Sequence, residues 1–404
     1  MVDGRPSSQN TMRRQEIIRT ELCPLCKFET HPVLQLRFKA KLRLPTEFSI
    51  RHCDRDNFLF VAAGNSLDYD EYYKSLVNDS YHSELAAGDL HSPIAVIQMS
   101  ELLKRLPGFF DEPRKVLDFG CGEASLLIEL SCKFNESTFW GFDPSPAAQL
   151  GSQKAQALGL SNIRVCDFDK AIANGPFDLI IVSHVLEHLL DFDLLCSLNA
   201  LLAEAGFLYV EVPDPLHYAT QERREFLYYF DRLHLNHFTP QSLVRLAAAY
   251  EFGYVRHFEY AFPYRDGGEY PGLGVLFQKG GSLTEISSAS VIQTVREYIS
   301  KERARAKSIT NQLDGCEGIL VWGAGDNFYR SMENGGPLSG LANMTLLDSR
   351  PQTILIGDQQ YVAEQPVEGI KSHPWPVVIT VSEAKQALVE QVKRIDPSRM
   401  VLCI

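Results

Sequence analysis

The chain has 404 residues, of which 45% are hydrophobic and 22% charged, a composition typical of soluble globular proteins that excludes bulk disorder. At about 100–200 residues per domain, this length predicts two to four domains. The formal net charge is −12 and no Lys/Arg-rich run occurs, which argues against nucleic acid as the main partner because phosphate neutralisation needs clustered cations.

Membrane and export signals are absent from the sequence as given. No apolar run approaches the ~20 residues of a membrane helix. The first 15 residues lack the apolar stretch of a signal peptide. We therefore expect a cytoplasmic protein with no membrane partner.

The N-terminal block consists of short alternating stretches around clustered cysteines, and we predict strands at 33–38 and 58–63. It is too short for a good apolar core, so it should need a stabiliser. We place a small zinc-binding domain over residues 1–66.

The spacing of the N-terminal cysteines is the basis for predicting a zinc site. Cys23 and Cys26 form a C-x-x-C pair, and Cys53 begins a second pair whose last position is Asp56. Tetrahedral zinc needs four N, S or O ligands, and four protein ligands make the site structural. His52 and His31 are other candidates for the fourth ligand, and three buried cysteines without a metal are the alternative interpretation.

From residue 115 onwards, strand and helix patterns alternate. A βαβα alternation with short turns predicts a parallel, doubly wound sheet, which we assign to a domain over 67–283. The predicted elements are a helix at 95–106, strands at 115–120, 137–143, 163–168 and 206–213, helices at 123–134 and 146–159, and a strand running into a helix over 177–189.

A glycine-rich turn follows the first of these strands. It contains Asp118, Gly120, Cys121 and Gly122 and opens a helix, and glycines there allow the backbone to approach a ligand closely. The dinucleotide pattern G-x-G-x-x-G is incomplete because Ser125 replaces its third glycine. Asp118 opposes a phosphate and suits the amino-acid end of S-adenosylmethionine.

Acidic residues also end the next two strands. Asp143 can accept both ribose hydroxyls, and Asp167 with Phe168 suits adenine, the carboxylate accepting the exocyclic amine and the ring packing on a face. His184 ends the fourth strand, on the edge where ligands of open α/β sheets bind. Glycines that serve only helix packing would not explain three acids at successive strand ends, so we predict a methyl-donor site.

The C-terminal block, 284–404, is predicted to be a second Rossmann-like α/β domain. A polar, glycine-rich stretch at 265–283 precedes it. Its turn at Gly323 and Gly325 lacks a third glycine, although Asp348 ends the next strand, so NAD binding and a purely structural turn are both alternatives. The predicted elements are a charged helix at 288–313 and strands at 318–325, 344–349, 377–382 and 400–404.

The central block resembles class I S-adenosylmethionine-dependent methyltransferases through VLDFGCGEASLL, GFDPS, CDF and SHVLEHLLD. The order of the three blocks resembles the nucleotide-sugar C-methyltransferases, which methylate deoxysugars at C3. This resemblance covers nearly the whole chain. It implies a zinc knuckle that caps the active site and a C-terminal domain that closes over the nucleotide sugar.

In the resemblance, residues 231–239 match the family's catalytic segment, and His234 falls on the histidine proposed as base. Methyl transfer needs a base to expose a nucleophile, and histidine suits this task. His237, Asp231 and Tyr229 lie close by and complete our predicted catalytic set. The family's tyrosine and glutamate positions are Asp231 and Leu233 here.

We therefore predict C-methylation of a nucleotide-activated 4-keto deoxysugar through an enolate. The first alternative is an O-methyltransferase that acts on a sugar or another small molecule. The second is a non-catalytic protein that keeps the donor fold as a binding module. The intact set of acids at the strand ends argues against that second alternative.

Overall fold

The computed structural model describes residues 21–39, 44–62, 92–220, 225–263, 269–282, 284–350, 352–381 and 384–404. The domain boundary predicted at residue 66 and the last residues of the strands predicted at 58–63 and 377–382 lie outside these ranges. Among the described helices, none has the length and apolarity needed to cross a membrane.

The N-terminal cysteine block belongs to a four-stranded antiparallel sheet. Two of its strands agree with the predicted ones, and β2 was not predicted. Its fourth strand comes from a distant part of the chain, since Leu59 pairs with His237 and Phe60 with Asn236. The order is β1-β2-β3-β9, with β1 at His31–Arg37, β2 at Glu47–Cys53, β3 at Phe58–Ala62 and β9 at Asn236–His237.

Both faces of this sheet pack against later parts of the chain. Leu34 and Ile50 lie in a cluster with Tyr218 and Tyr298, whereas Phe58 on the other face packs against residues of the central sheet. The N-terminal block therefore shares its apolar cores with the rest of the protein, which is how so short a segment buries its strands.

The central sheet has seven strands in the order β10-β11-β8-β7-β4-β5-β6. The five strands from β4 to β8 are parallel, and β11 and β10 add an antiparallel edge. The strands are β4 Lys115–Phe119, β5 Thr138–Phe142, β6 Ile163–Val165, β7 Phe177–Ser183, β8 Leu202–Pro213, β10 Phe252–Pro263 and β11 Glu269–Lys279. Strand order reverses between β4 and β7, the position where ligands bind in such sheets.

Alternating residues of the central strands face two separate cores. In β7, Leu179 and Ile181 pack on one side and Ile180 and Val182 on the other. Helices cover both sides, which confirms the doubly wound arrangement. They are α1 Pro93–Arg105, α2 Ser125–Lys133, α3 Ala147–Ala157, α4 Phe168–Ala173, α5 Leu194–Leu201 and α6 Pro240–Ala248.

Three segments differ from their sequence patterns. The strand predicted at 163–168 ends at Val165, because Asp167 caps helix α4. The helix predicted at the end of 177–189 is only a single 3₁₀ turn, Leu186–His188. The glycine-rich stretch at 265–283 contains β11, whose glycines lie in a buried strand beside β8.

The C-terminal part begins with the long helix α7, Val291–Gln312, and contains a parallel sheet in the order β13-β12-β16-β17. All four predicted strands are present. They are β12 Ile319–Trp322, β13 Met344–Leu347, β16 Val377–Ile379 and β17 Val401–Cys403, joined by the hairpin of β14 Thr353–Ile356 and β15 Gln359–Val362 and by helices α8 Asp326–Met332, α9 Pro366–Ser372 and α10 Lys385–Ile395.

Candidate active site

The glycine turn after β4 approaches the loop after β7 closely. Gly120 has a φ of 87°, and a Cβ at this position would overlap the side chain of Val185. The backbone N–H groups of Gly120 and Cys121 donate to the carbonyl of Phe142 at 2.7 and 3.0 Å. Glycine at 120 is therefore required both by its left-handed backbone and by lack of space.

The two predicted acids lie at the ends of β4 and β5, on the same edge of the sheet. Asp143 accepts hydrogen bonds from the Gly122 N–H at 2.9 Å and the Ser145 N–H at 2.8 Å. Asp118 is buried, and this burial, together with the nearby Asp143 and Glu211, raises its pKa to about 7. Both carboxylates therefore border the glycine turn, as predicted.

Phe168 forms an aromatic wall with the rings that end β4 and β5. Its ring centroid lies 5.3 Å from those of both Phe119 and Phe142. Asp167 is exposed, accepts a hydrogen bond from the Lys170 N–H at 2.9 Å and pairs with the Lys170 ammonium at 2.9 Å. The wall suits a planar ligand ring, and Asp167 lies beside it.

His184 is held between two buried carboxylates. Its Nδ1 lies 3.0 Å from Glu187 Oε1 and its Nε2 lies 3.4 Å from Glu211 Oε1. Burial opposes protonation, but these two acids outweigh it and raise the pKa of His184 to about 10. His184 is therefore an imidazolium at neutral pH and cannot serve there as a base.

His234 forms a pair with Asp231 in the segment between β8 and β10 of the central sheet. His234 Nδ1 lies 3.3 Å from Asp231 Oδ2, whose other oxygen accepts hydrogen bonds from the N–H groups of Leu233 and His234. Burial opposes ionisation of Asp231, but His234 and Arg330 outweigh it and hold its pKa at about 2. An ionised Asp231 orients the imidazole so that its other nitrogen can act as a base.

His188 connects this pair with the donor side of the sheet. Its ring stacks on that of His234 with centroids 5.0 Å apart, and its Nδ1 donates to the Leu233 carbonyl at 3.0 Å. The buried Glu187 lies 3.9 Å from His188 Nε2 and also contacts His184. The loop after β7 therefore joins the predicted donor site to His234.

Two residues of the predicted catalytic set are placed in the core. His237 is 2% exposed and bonds to the Tyr218 hydroxyl at 3.0 Å, and burial lowers its pKa to about 3. Tyr229 is fully buried and stacks on Tyr218 with centroids 3.8 Å apart. Both side chains are thus buried in the core, and their catalytic roles stay predictions.

The three N-terminal cysteines and Asp56 come together in one cluster. Asp56 Oδ2 lies 3.0 Å from Cys23 Sγ and 3.5 Å from Cys53 Sγ, and Cys26 Sγ lies 3.6 Å from Cys53 Sγ. Four ligands about 2.0–2.3 Å from a tetrahedral zinc are themselves separated by about 3.4–3.8 Å. The separations of 3.5 and 3.6 Å lie in this range and that of 3.0 Å is shorter, and the chemistry of the donor set, three thiols and a carboxylate, fits zinc.

The two histidines considered as alternative ligands contact a different acid. His31 Nε2 and His52 Nδ1 each lie 3.2 Å from the carboxylate of Asp54. Neither belongs to the cysteine cluster within the described part of the chain. The geometry thus favours Asp56, whose second oxygen pairs with Arg245 at 2.5 Å.

The glycine turn of the C-terminal part is held internally. Gly323 has a φ of 115°, and its carbonyl accepts a hydrogen bond from the Thr380 hydroxyl at 2.6 Å. Asp348 accepts hydrogen bonds from the N–H groups of Ala324 at 3.3 Å and Arg350 at 2.9 Å. These contacts account for the conformation of the turn without a ligand, and NAD binding stays an untested alternative.

Arg330 and Glu211 also belong to the site. Arg330 Nη2 lies 3.4 Å from Asp231 Oδ2 across 99 residues of sequence, so no local pattern reveals it. Glu211 lies near the end of β8, and the sequence there is compatible with either substrate contact or turn chemistry.

Comparison with known proteins identifies the central part of the chain. Residues 96–257 match the family model described as a methyltransferase domain. The protein is a methyltransferase. The match supports the class predicted from the sequence, the class I S-adenosylmethionine-dependent methyltransferases. No curated protein matches the chain in a sequence comparison.

Several solved methyltransferase structures show limited similarity to this methyltransferase. An S-adenosylmethionine-dependent methyltransferase from Methanosarcina mazei is 18% identical, with 42% of this chain and 94% of that chain covered and a TM-score of 0.35. Coclaurine N-methyltransferase is 15% identical, with 46% and 72% covered and a TM-score of 0.36. Magnesium protoporphyrin IX methyltransferase from Synechocystis PCC 6803 is 17% identical, with 52% and 100% covered and a TM-score of 0.39. These similarities are too low to add to the family match.

Proposed function

We propose that this methyltransferase transfers a methyl group from S-adenosylmethionine to carbon in a nucleotide-activated 4-keto deoxysugar, with His234 as the base. Bound S-adenosylmethionine would supply an electrophilic methyl group, which needs little further activation. The protein must then create a nucleophile and align it with that methyl group.

The donor would bind at the carboxyl ends of β4 and β5. The glycines of the turn would let the protein backbone approach the donor closely, Asp118 suits the donor's amino group, and Asp143 suits its ribose hydroxyls. Phe168, with the rings beside it, supplies an aromatic face for adenine. The sequence resemblance described above carries the choice of a sugar nucleotide as acceptor.

The His234–Asp231 pair is the observation that carries the proposed chemistry. Asp231 accepts from Nδ1 and leaves Nε2 to take a proton from the carbon next to the sugar ketone. The electron pair of the broken C–H bond forms the enolate, whose carbon attacks the methyl group. The sulfonium sulfur leaves with its bonding electrons as S-adenosylhomocysteine, and the proton stays on His234.

We also propose that Cys23, Cys26, Cys53 and Asp56 hold a structural zinc ion. The donor atoms lie within 4.8 Å of one another, and all four ligands come from the protein, so no open coordination position is left for catalysis. Arg245 would orient Asp56 from behind, through the carboxylate oxygen that faces away from the cysteines.

Solvent exchange tests the carbon route directly. A nucleoside-diphosphate-activated 4-keto deoxysugar is incubated in D₂O with the wild-type enzyme and S-adenosylhomocysteine. We expect the sugar to take up deuterium at the carbon next to its ketone. His234→Gln should lower this rate by at least about 100-fold, because a positioned general base contributes about 10²–10⁴-fold. Mass spectrometry of the recovered sugar measures the uptake.

His257→Gln is the matched control, since that histidine lies on the outer strand β10 and bonds to Tyr254. It should exchange at the wild-type rate. Both variants should bind S-adenosylhomocysteine in calorimetry with wild-type affinity. Methyl transfer without exchange would instead favour O-methylation, and equal exchange in His234→Gln would show that His234 is not the base.

A further inference from the structure

The base segment is anchored by the C-terminal part of the chain. Arg330, on helix α8, donates from Nη1 to the carbonyls of Leu227 and Tyr228 at 3.4 and 3.1 Å. Its guanidinium also lies 5.6 Å above the centroid of the Tyr228 ring. A planar fork with several donors can make all these contacts at once, which an ammonium group cannot.

The same guanidinium shares an oxygen with the catalytic pair. Asp231 Oδ2 lies 3.3 Å from His234 Nδ1 and 3.4 Å from Arg330 Nη2. Asp231 Oδ1 is already occupied by two backbone N–H groups, at 2.8 and 2.7 Å. The carboxylate therefore has a fixed orientation, and its charge is divided between the imidazole and the guanidinium.

We infer that Arg330 is a positioning residue for the base, an inference that rests on the proposed role of His234. Arg330 holds the Asp231 carboxylate beside His234. Its positive charge also offsets part of the negative charge of Asp231, which would otherwise stabilise the protonated form of His234. An unopposed Asp231 would favour protonated His234, which cannot accept a proton. Helix α8 thereby takes part in the chemistry of a site that lies otherwise in the central part of the chain.

Arg330→Gln should raise the pKa of His234, because it removes a cation and leaves Asp231 to pair with the imidazole alone. The other titratable groups near His234 are unchanged in this variant. They are Glu187, His188 and His237.

The test is an NMR titration of the zinc-loaded full chain, labelled at histidine Cε1 and saturated with S-adenosylhomocysteine. The chain has 11 histidines, and the resonance missing in His234→Gln assigns His234. Arg330→Lys keeps the positive charge, so the pKa of His234 in this variant should be closer to the wild-type value than in Arg330→Gln. Arg394→Gln, on an exposed arginine of helix α10, should leave it unchanged.

An unchanged His234 pKa in Arg330→Gln would overturn the inference. Equal shifts in the Gln and Lys variants would also overturn it, since they would indicate lost packing instead of lost charge. The titration needs no acceptor, so its outcome is separate from that of the exchange experiment. If His234→Gln abolishes exchange and Arg330→Gln moves no pKa, only the positioning role fails.

Discussion

Burial raises the pKa of Asp118, which lies just before the glycine turn. A carboxyl whose pKa is raised to about 7 is mostly neutral at pH 6 and mostly ionised at pH 8. The amino group of the methyl donor stays cationic over this range. If the donor binds to ionised Asp118, the carboxyl must first lose its proton at low pH. This deprotonation costs free energy, so the affinity for the donor falls as the pH falls.

We predict that S-adenosylhomocysteine binds about tenfold more weakly at pH 6 than at pH 8, because about a tenth of Asp118 is ionised at the lower pH. Asp118→Asn should bind more weakly at pH 8 and show little pH dependence. Isothermal calorimetry at both pH values measures this. A pH dependence that persists in Asp118→Asn would assign it to another group.

Strand β9 connects two functional features that are far apart in the sequence. It pairs with β3, which directly follows the cysteine cluster, and it follows His234. Thr239, next to β9, donates to the Asn57 carbonyl at 3.0 Å. A metal that stabilises residues 53–57 should therefore also stabilise the segment that carries the base.

Removing the fourth ligand tests the metal site. Asp56→Ala should lose zinc on dialysis, whereas Asp56→Cys should retain it, because thiolate is a preferred zinc ligand. Asp54→Asn is the matched control, as the Asp54 carboxylate contacts His31 and His52 and lies outside the cysteine cluster in the described part of the chain. Elemental analysis gives the zinc content per chain, and full retention in Asp56→Ala would exclude Asp56 as a ligand.

Arg245→Gln tests the ion pair between Arg245 and Asp56, the proposed fourth zinc ligand. Loss of such an outer partner typically weakens metal binding about 10–100-fold. A chelator competition should therefore show weaker zinc binding in this variant at unchanged stoichiometry. Wild-type affinity would contradict a role for the Arg245–Asp56 pair in holding the metal.

At the scale of the whole molecule, the candidate active site draws on the N-terminal, central and C-terminal parts of the chain. The N-terminal sheet includes β9, the central sheet supplies the edge where we propose that the donor binds, and the C-terminal part supplies Arg330. Helix α7 contributes as well, since Glu302 accepts a hydrogen bond from the Leu227 N–H at 2.9 Å and pairs with Arg305 at 2.8 Å. The predicted domains are thus joined where the base segment lies.

Glu302→Ala should lower the free energy of unfolding by about 1–3 kcal/mol, because it leaves the buried Leu227 N–H without its carboxylate acceptor. Glu297→Ala, on the exposed side of the same helix, removes only a surface pair with Lys301 and should change it by less than about 0.5 kcal/mol. Urea denaturation measures both values. Equal effects would show that the Glu302 contact does not stabilise the fold.

Much of the donor edge could be predicted from local sequence. Alternating strand and helix patterns locate the strand ends, and parallel strands bring their carboxyl ends to one edge of a sheet. Asp118 and Asp143 therefore had to meet near Gly122. The cysteine spacing similarly predicted three members of the proposed zinc site, because a C-x-x-C pair is typical of zinc ligands.

Only the tertiary structure decided which side chains surround the base. His234 and His237 are alike in the sequence, yet one lies beside Asp231 and the other is buried against Tyr218. Asp56 rather than His31 or His52 joins the cysteines, and Arg330 reaches Asp231 from 99 residues away. Burial and long-range contacts depend on how the sheets and helices pack, and local spacing does not encode that packing.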